Sequence, residues 1–190
     1  RQRQMCIRDR SLVVSVDCGV SAISEAAALA GKLDLVITDH HLPGDILPDA
    51  IAVVNPHRAG EAYPYRELAG VGVAFKLCQA LWKKIRGEEF TDDLELVAMG
   101  TVADMVPLLD ENRKLVKEGL KRFKTTSILG LEELIRVSGL REQTVTAGSI
   151  GFVLAPRLNA AGRMENAAEG VELLLAKAVS YTHLTLPTIA

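Results

Sequence analysis

The chain of 190 residues carries three cysteines, Cys6, Cys18 and Cys78, and no CxxC pair. A disulfide framework and a thiolate-built zinc site are therefore not expected, and a reducing cytoplasm is the expected compartment. No apolar run is long enough to span a bilayer, so no membrane partner is expected. Excess basic charge is also lacking: Lys and Arg number 22 against 24 Asp and Glu, a net charge of -2. Bulk charge thus gives no argument for a nucleic-acid partner, and any basic contact surface must be local. No internal repeat or low-complexity tract is present. A hydrophobic share of 48% over this length is enough for a packed core.

The two ends mirror each other at the level of codons. Residues 1–9 (RQRQMCIRD) can be back-translated as CGG CAG CGT CAG ATG TGT ATA AGA GAC. The reverse complement of that string translates as VSYTHLTLP, which is residues 179–187. The string also resembles a transposon-type sequencing adaptor read in opposite directions. Residues 1–10 and 179–190 are accordingly expected to be adaptor translations and are set aside. Removing residues 1–9 and 179–190 leaves 19 Lys and Arg against 23 Asp and Glu, net -4. Residues 11–178 then read as an internal fragment.

The central stretch is Val36-Ile37-Thr38-Asp39-His40-His41. Leu33, Leu35, Val36 and Ile37 form a short apolar run after Gly31-Lys32, the profile of a buried parallel strand, and Pro43-Gly44 stops any further element. A carboxylate and two imidazoles therefore sit at the carboxyl end of a strand, where open α/β sheets bind ligands. These donors suit Mn²⁺ or Mg²⁺. An earlier run, residues 11–16, ends at Asp17-Cys18-Gly19, and an Ala-rich helix capped by Ser21 and closed by Gly31 links the two. In such a β-α-β unit Asp17 reaches the same sheet edge and becomes a candidate partner of the histidines. Cys18 reads as a small packed residue.

Residues 51–54 make a third strand, closed by Asn55-Pro56; His57 beyond it reads as a loop histidine. Gly70-Val71-Gly72 opens a helix to about residue 85, and its glycines would admit a phosphate or serve helix–sheet packing. Residues 92–103 read as an apolar helix ending at Asp104, which is expected on the core side, where a carboxylate needs a partner or a metal. A basic amphipathic helix follows over 112–123, then helices over 128–137, 144–154 and 167–178. Between the last two, Pro156-Arg157-Leu158-Asn159-Ala160-Ala161-Gly162-Arg163 sets two arginines and an asparagine among small residues, a pattern suited to phosphate contact.

Val16-Asp17-Cys18-Gly19, Thr38-Asp39-His40-His41, Gly100-Thr101-Val102-Ala103-Asp104 and the 156–163 stretch, taken in order, resemble the DHH phosphoesterase superfamily. More narrowly they resemble its RecJ-type family of single-strand-specific 5′→3′ DNA exonucleases, as does Leu68-Ala69-Gly70-Val71-Gly72-Val73-Ala74-Phe75. The resemblance implies a parallel-sheet α/β DHH domain over residues 11–155, its leading strands missing, with 156–178 an α-helical connection toward a missing second domain. It implies Asp17, His40 and Asp104 as ligands of Mn²⁺ or Mg²⁺, Asp17 bridging two ions in the intact family. His41 would orient the scissile phosphate, Asp39 would support the histidine pair, and Arg157, Asn159 and Arg163 would contact the strand's phosphates. It implies single-stranded DNA as substrate, a role in repair and recombination, and single-strand-binding protein and a helicase as partners. The family's first Asp-x-Asp cluster is absent, so these residues alone are expected to bind at most one metal weakly and to turn over DNA poorly. The alternatives are another DHH phosphoesterase (a cyclic-dinucleotide phosphodiesterase, nanoRNase or manganese pyrophosphatase) and a non-catalytic DHH scaffold.

Overall fold

The structure, a computed structural model, describes residues 11–163 and 168–176, without the side chains of 161–163. It divides into two compact units, residues 1–92 with 109–112 and residues 93–108 with 113–190. Both adaptor-like ends and the side chain of Arg163 lie outside the described residues.

The first unit is an α/β layer. Strands β1 (Leu12–Val16), β2 (Asp34–Thr38) and β3 (Ala52–Val54) form a parallel sheet in the order β1-β2-β3. Helix α1 (Ile23–Leu29) is the crossover between the first two. Ser21 does not cap it: the N-cap is Ala22, with no side-chain bond, because the chain turns through Gly19 and Val20 and enters the helix one residue later. Gly31 does close it, in the left-handed conformation that glycine adopts without steric cost (φ 71°). Val20, Ala26, Leu35, Ile37 and Val53 form the core, from alternate positions of β2 and β3 and the inner face of α1. On the other face of β1, Leu12, Val14 and Val16 remain about half exposed, and among the described residues β1 pairs only with β2. Helix α2 (Gly70–Arg86) completes this unit, ending at Gly87 in the left-handed region.

The second unit is helical. It contains α3 (Leu94–Ala103) and α5 (Leu129–Val137), with α4 (Asp110–Arg122) running into it after its first turn. A continuous stretch follows: α6 (Ala147–Ser149), a π-helical segment (Ile150–Leu154) and α7 (Ala155–Arg163), with α8 (Ala168–Leu175) after it. Thr146 and Ser149 form a reciprocal capping box at the start. Pro156 explains the π segment. Its ring has no N–H and clashes with the carbonyl four residues back, and widening the preceding turn relieves both. Leu131, Leu134, Ile150 and Leu154 are fully buried at the centre of the core. Residues 155–163 are thus helical.

Candidate metal centre

The sheet register builds the site. Val16 pairs with Thr38, and Thr38 with Val54, so Asp17, Asp39 and Asn55 each stand one residue past a strand end in a single row. The backbone N–H of Asp17 donates to the Thr38 carbonyl (2.9 Å), and that of Asp39 to the Val54 carbonyl (3.1 Å). The ladder therefore continues into the loops and fixes the exit of each strand. Thr38 is fully buried, and its hydroxyl donates to the Ser15 carbonyl at 2.7 Å.

Asp39 is 1% exposed and serves as the knot of the turn. Its Oδ2 accepts the Val20 N–H (2.9 Å) and its Oδ1 the N–H groups of His40 (2.8 Å) and His41 (3.2 Å). The same Oδ1 lies 2.7 Å from Nδ1 of His41. Burial by itself would raise the pKa of this carboxyl, but these donors, Val20 first, outweigh it and hold the group below the usual carboxylate value. An anionic Asp39 makes Nδ1 of His41 the protonated ring nitrogen and leaves the lone pair on Nε2. This is the carboxylate–histidine arrangement that supports metal-ligating imidazoles.

Asp17 adopts φ 63°, a left-handed conformation that Asp tolerates better than most residues and that turns its carboxylate across the strand ends. Its Oδ1 lies 3.1 Å from Nε2 of His40, a ring that is largely buried. One donor atom each from Asp17, His40 and His41 can be chosen so that all lie within 4.8 Å of one another. Adjacent ligands of one octahedral ion with bonds of about 2.1 Å stand about 3 Å apart. The Asp17–His40 spacing meets that requirement, and a hard carboxylate with borderline imidazoles and no thiolate suits Mn²⁺ or Mg²⁺. Gly70, at the start of α2, makes room for the carboxylate: a Cβ built there would stand 2.1 Å from Oδ1 and 2.7 Å from Cβ of Asp17. The glycine thus admits a carboxylate of this chain.

The other expected site residues belong to the second unit. Asp104 caps the C-terminus of α3, its N–H bonded to the Gly100 carbonyl at 3.0 Å, and it is exposed, which corrects the expectation of a core-side carboxylate. The helix ends at Ala103, and the turn into Met105 (φ 58°, 89% exposed) carries the chain outward. Arg157 and Asn159 lie on α7, where residues two apart do not share a face. The Arg157 guanidinium donates to the Val153 carbonyl (3.0 Å), and Asn159 is exposed. Sequence reasoning assigned no role to Asn55 and read Gly70 only as space for a phosphate or for helix–sheet packing. Asn55-Pro56 after a strand and a glycine pair opening a helix were visible signals, but their partners, 14 and 53 positions away, were not.

The "DHH family, N-terminal domain" model matches residues 1–101. The chain belongs to the DHH family. This DHH chain is 50% identical over 171 residues to the single-stranded-DNA-specific exonuclease RecJ of Bacillus subtilis (strain 168), a match covering 90% of the chain and 21% of the relative. It superposes on the crystal structure of RecJ in complex with Mn²⁺ from Thermus thermophilus with a TM-score of 0.81 at 35% identity, covering 94% of this chain and 27% of that one. The Mg²⁺ complex of RecJ from the same organism matches with a TM-score of 0.67 at 34% identity, covering 90% and 24%. The DHH chain thus spans about a fifth of the Bacillus subtilis relative.

Proposed function

We propose that these residues are the metal-binding part of a single-strand-specific 5′→3′ DNA exonuclease that hydrolyses phosphodiesters to 5′-mononucleotides in repair and recombination. The observation that carries this reading is the Asp17–His40–His41 cluster at the carboxyl edge of a parallel sheet, in a chain 50% identical to such an enzyme. Asp17 and His40 would hold Mn²⁺ or Mg²⁺, which would lower the pKa of a bound water and offset phosphoryl charge. His41, held at Nδ1 by Asp39, would orient the scissile phosphate as the imidazolium, whose Nε2–H can donate to a phosphate oxygen. Asp104 is assigned as a further metal ligand, and Arg157, Asn159 and Arg163 as contacts to the strand's phosphates. Single-strand-binding protein and a helicase are the partners this reading implies.

The reading also assigns the protein to a reducing cytoplasm. Cys18 and Cys78 are both free thiols, and no helix among the described residues is long and apolar enough to cross a membrane. A cyclic-dinucleotide phosphodiesterase, nanoRNase or pyrophosphatase would use the same donors, and the degree of likeness to RecJ favours the exonuclease over these. The test is release of 5′-mononucleotides from labelled single-stranded and duplex DNA, with Mn²⁺ or with EDTA, using the gene that contains these residues with and without His40→Ala. Metal-dependent digestion of single strands alone, abolished in the variant, is the expected outcome. Hydrolysis of pyrophosphate or cyclic dinucleotides instead would overturn the reading, and so would inactivity on every substrate.

A further inference from the structure

Asn55 occupies on β3 the register position that Asp39 holds on β2 and Asp17 on β1. It is 2% exposed, and the following Pro56, also buried, disfavours helical backbone at Asn55 and keeps it extended. Its Nδ2 donates to the backbone carbonyl of His41 at 2.8 Å, and its Oδ1 accepts the N–H of His57 at 2.7 Å. A backbone carbonyl can only accept and an N–H can only donate, so these partners determine which way the carboxamide points. The bond to His57 is a local turn bond, the usual work of an Asn after a strand. The bond to His41 is of a different kind, since it reaches across to the loop of the neighbouring strand.

His41 is where that bond matters. Its side chain is 61% exposed, and its ring meets the His40 ring at 4.5 Å between centroids. The Asp39 hydrogen bond and its own peptide groups also help set its direction. Asp39 takes the N–H of His41, and Asn55 takes the carbonyl. Beyond it, Leu42 is 76% exposed and gives the loop no anchor. We infer that Asn55 is a positioning residue that holds the His41 peptide, and through it the imidazole, in register with Asp17 and His40. This rests on the reading of the cluster as a metal and phosphate site, but its decisive test does not need the metal.

The experiment records ¹⁵N imidazole shifts of the metal-free 190-residue chain and of Asn55→Asp and Asn55→Ala. Asn55→Asp preserves the shape and the acceptor for His57 while removing the donor to His41. The His41 ring of the unsubstituted chain is expected to show one tautomer, protonated at Nδ1. In Asn55→Asp it should shift toward a tautomer mixture, with the His40 ring and the amide signals of β2 and β3 unchanged. Mn²⁺ affinity should fall about tenfold, the usual cost of losing an outer support of a metal site. Unchanged His41 ring shifts in Asn55→Asp would overturn the inference. Loss of the β2 and β3 amide pattern in that variant would overturn it too, because Asn55 would then serve the fold. Should Asn55→Ala fail to fold, Asn55→Asp decides. If the unsubstituted chain takes up no Mn²⁺, the metal reading falls while the ring shifts still judge Asn55.

Discussion

The sheet unit and the helical unit treat buried polar groups differently. In the first, Thr38, Asp39 and Asn55 are all at most 2% exposed, and each is tied to backbone groups of a neighbouring strand or its loop. In the second, Glu95 is buried with Oε1 bonded to Thr126, while its Oε2 and the hydroxyl of buried Thr101 have no hydrogen-bond partner among the described residues. Parallel strands end side by side, so their exit peptides converge and can orient side chains from several segments at once. Helix termini do not share this property. Asp104 at the end of α3 and Arg157 on α7 belong to separate elements with separate partners.

The comparison can be broken most directly at Asp39. Asp39→Ala strips a buried acceptor from three backbone N–H groups and one imidazole, and should destabilise the sheet unit by about 3 kcal/mol. Urea unfolding followed by amide exchange in β2 measures this, with Mn²⁺ binding lost in parallel. Protection in β2 that matches the parent chain would remove Asp39 from its central place.

Gly119→Ala is the counterpart in the helical unit. Its Cβ would stand 2.2 Å from the Leu94 carbonyl, so α3 and α4 must separate, at about 2 kcal/mol. Thermal unfolding should show that loss with the amide pattern of β1, β2 and β3 unchanged. A changed pattern would overturn the assignment of Gly119 to the helical core alone.

Gly70→Ala sharpens the contrast from the other side. Its Cβ must displace the Asp17 carboxylate, so Mn²⁺ affinity should drop about tenfold or more, about 1.4 kcal/mol, with a smaller change in stability. Manganese EPR titration separates the two effects, and an unaltered affinity would take Asp17 out of the ligand set.

The pH dependence should be the smallest effect. Asp39 titrates below its ordinary value in the folded chain. Its stabilisation is therefore fully present above the unfolded carboxyl pKa and is lost as pH falls through the folded one. Stability should decline on acidification below about pH 4, and Asp39→Asn should flatten that decline. An equal slope in the variant would assign the acid sensitivity to other carboxyls.

Much of this was legible in the residues themselves. The β-branched runs, the stops at Gly31 and Pro43-Gly44, and the period of α4 and α5 follow from local sterics and hydrophobic spacing, and they match the observed elements within a residue or two. The approach of Asp17 to His40 and His41 was legible too, because two consecutive parallel strands end at the same edge. The misreadings share one physical origin. Ser21 missed its cap because the preceding turn consumed one more residue. Asp104 was expected to be buried because α3 is apolar nearly all round, yet a single left-handed residue at Met105 carries the chain outward.

Local sequence sets which residues form strands and helices and which donor types stand at the strand ends. These depend on intrinsic geometry and on residue chemistry, which act over a few residues. The fold alone places Asp17 3.1 Å from His40, leaves room at Gly70 for its carboxylate, and sets Asn55 on the carbonyl of His41. Those contacts join segments 14 to 53 residues apart. Strand register and close packing fix them, and neither is written in any local stretch of chain.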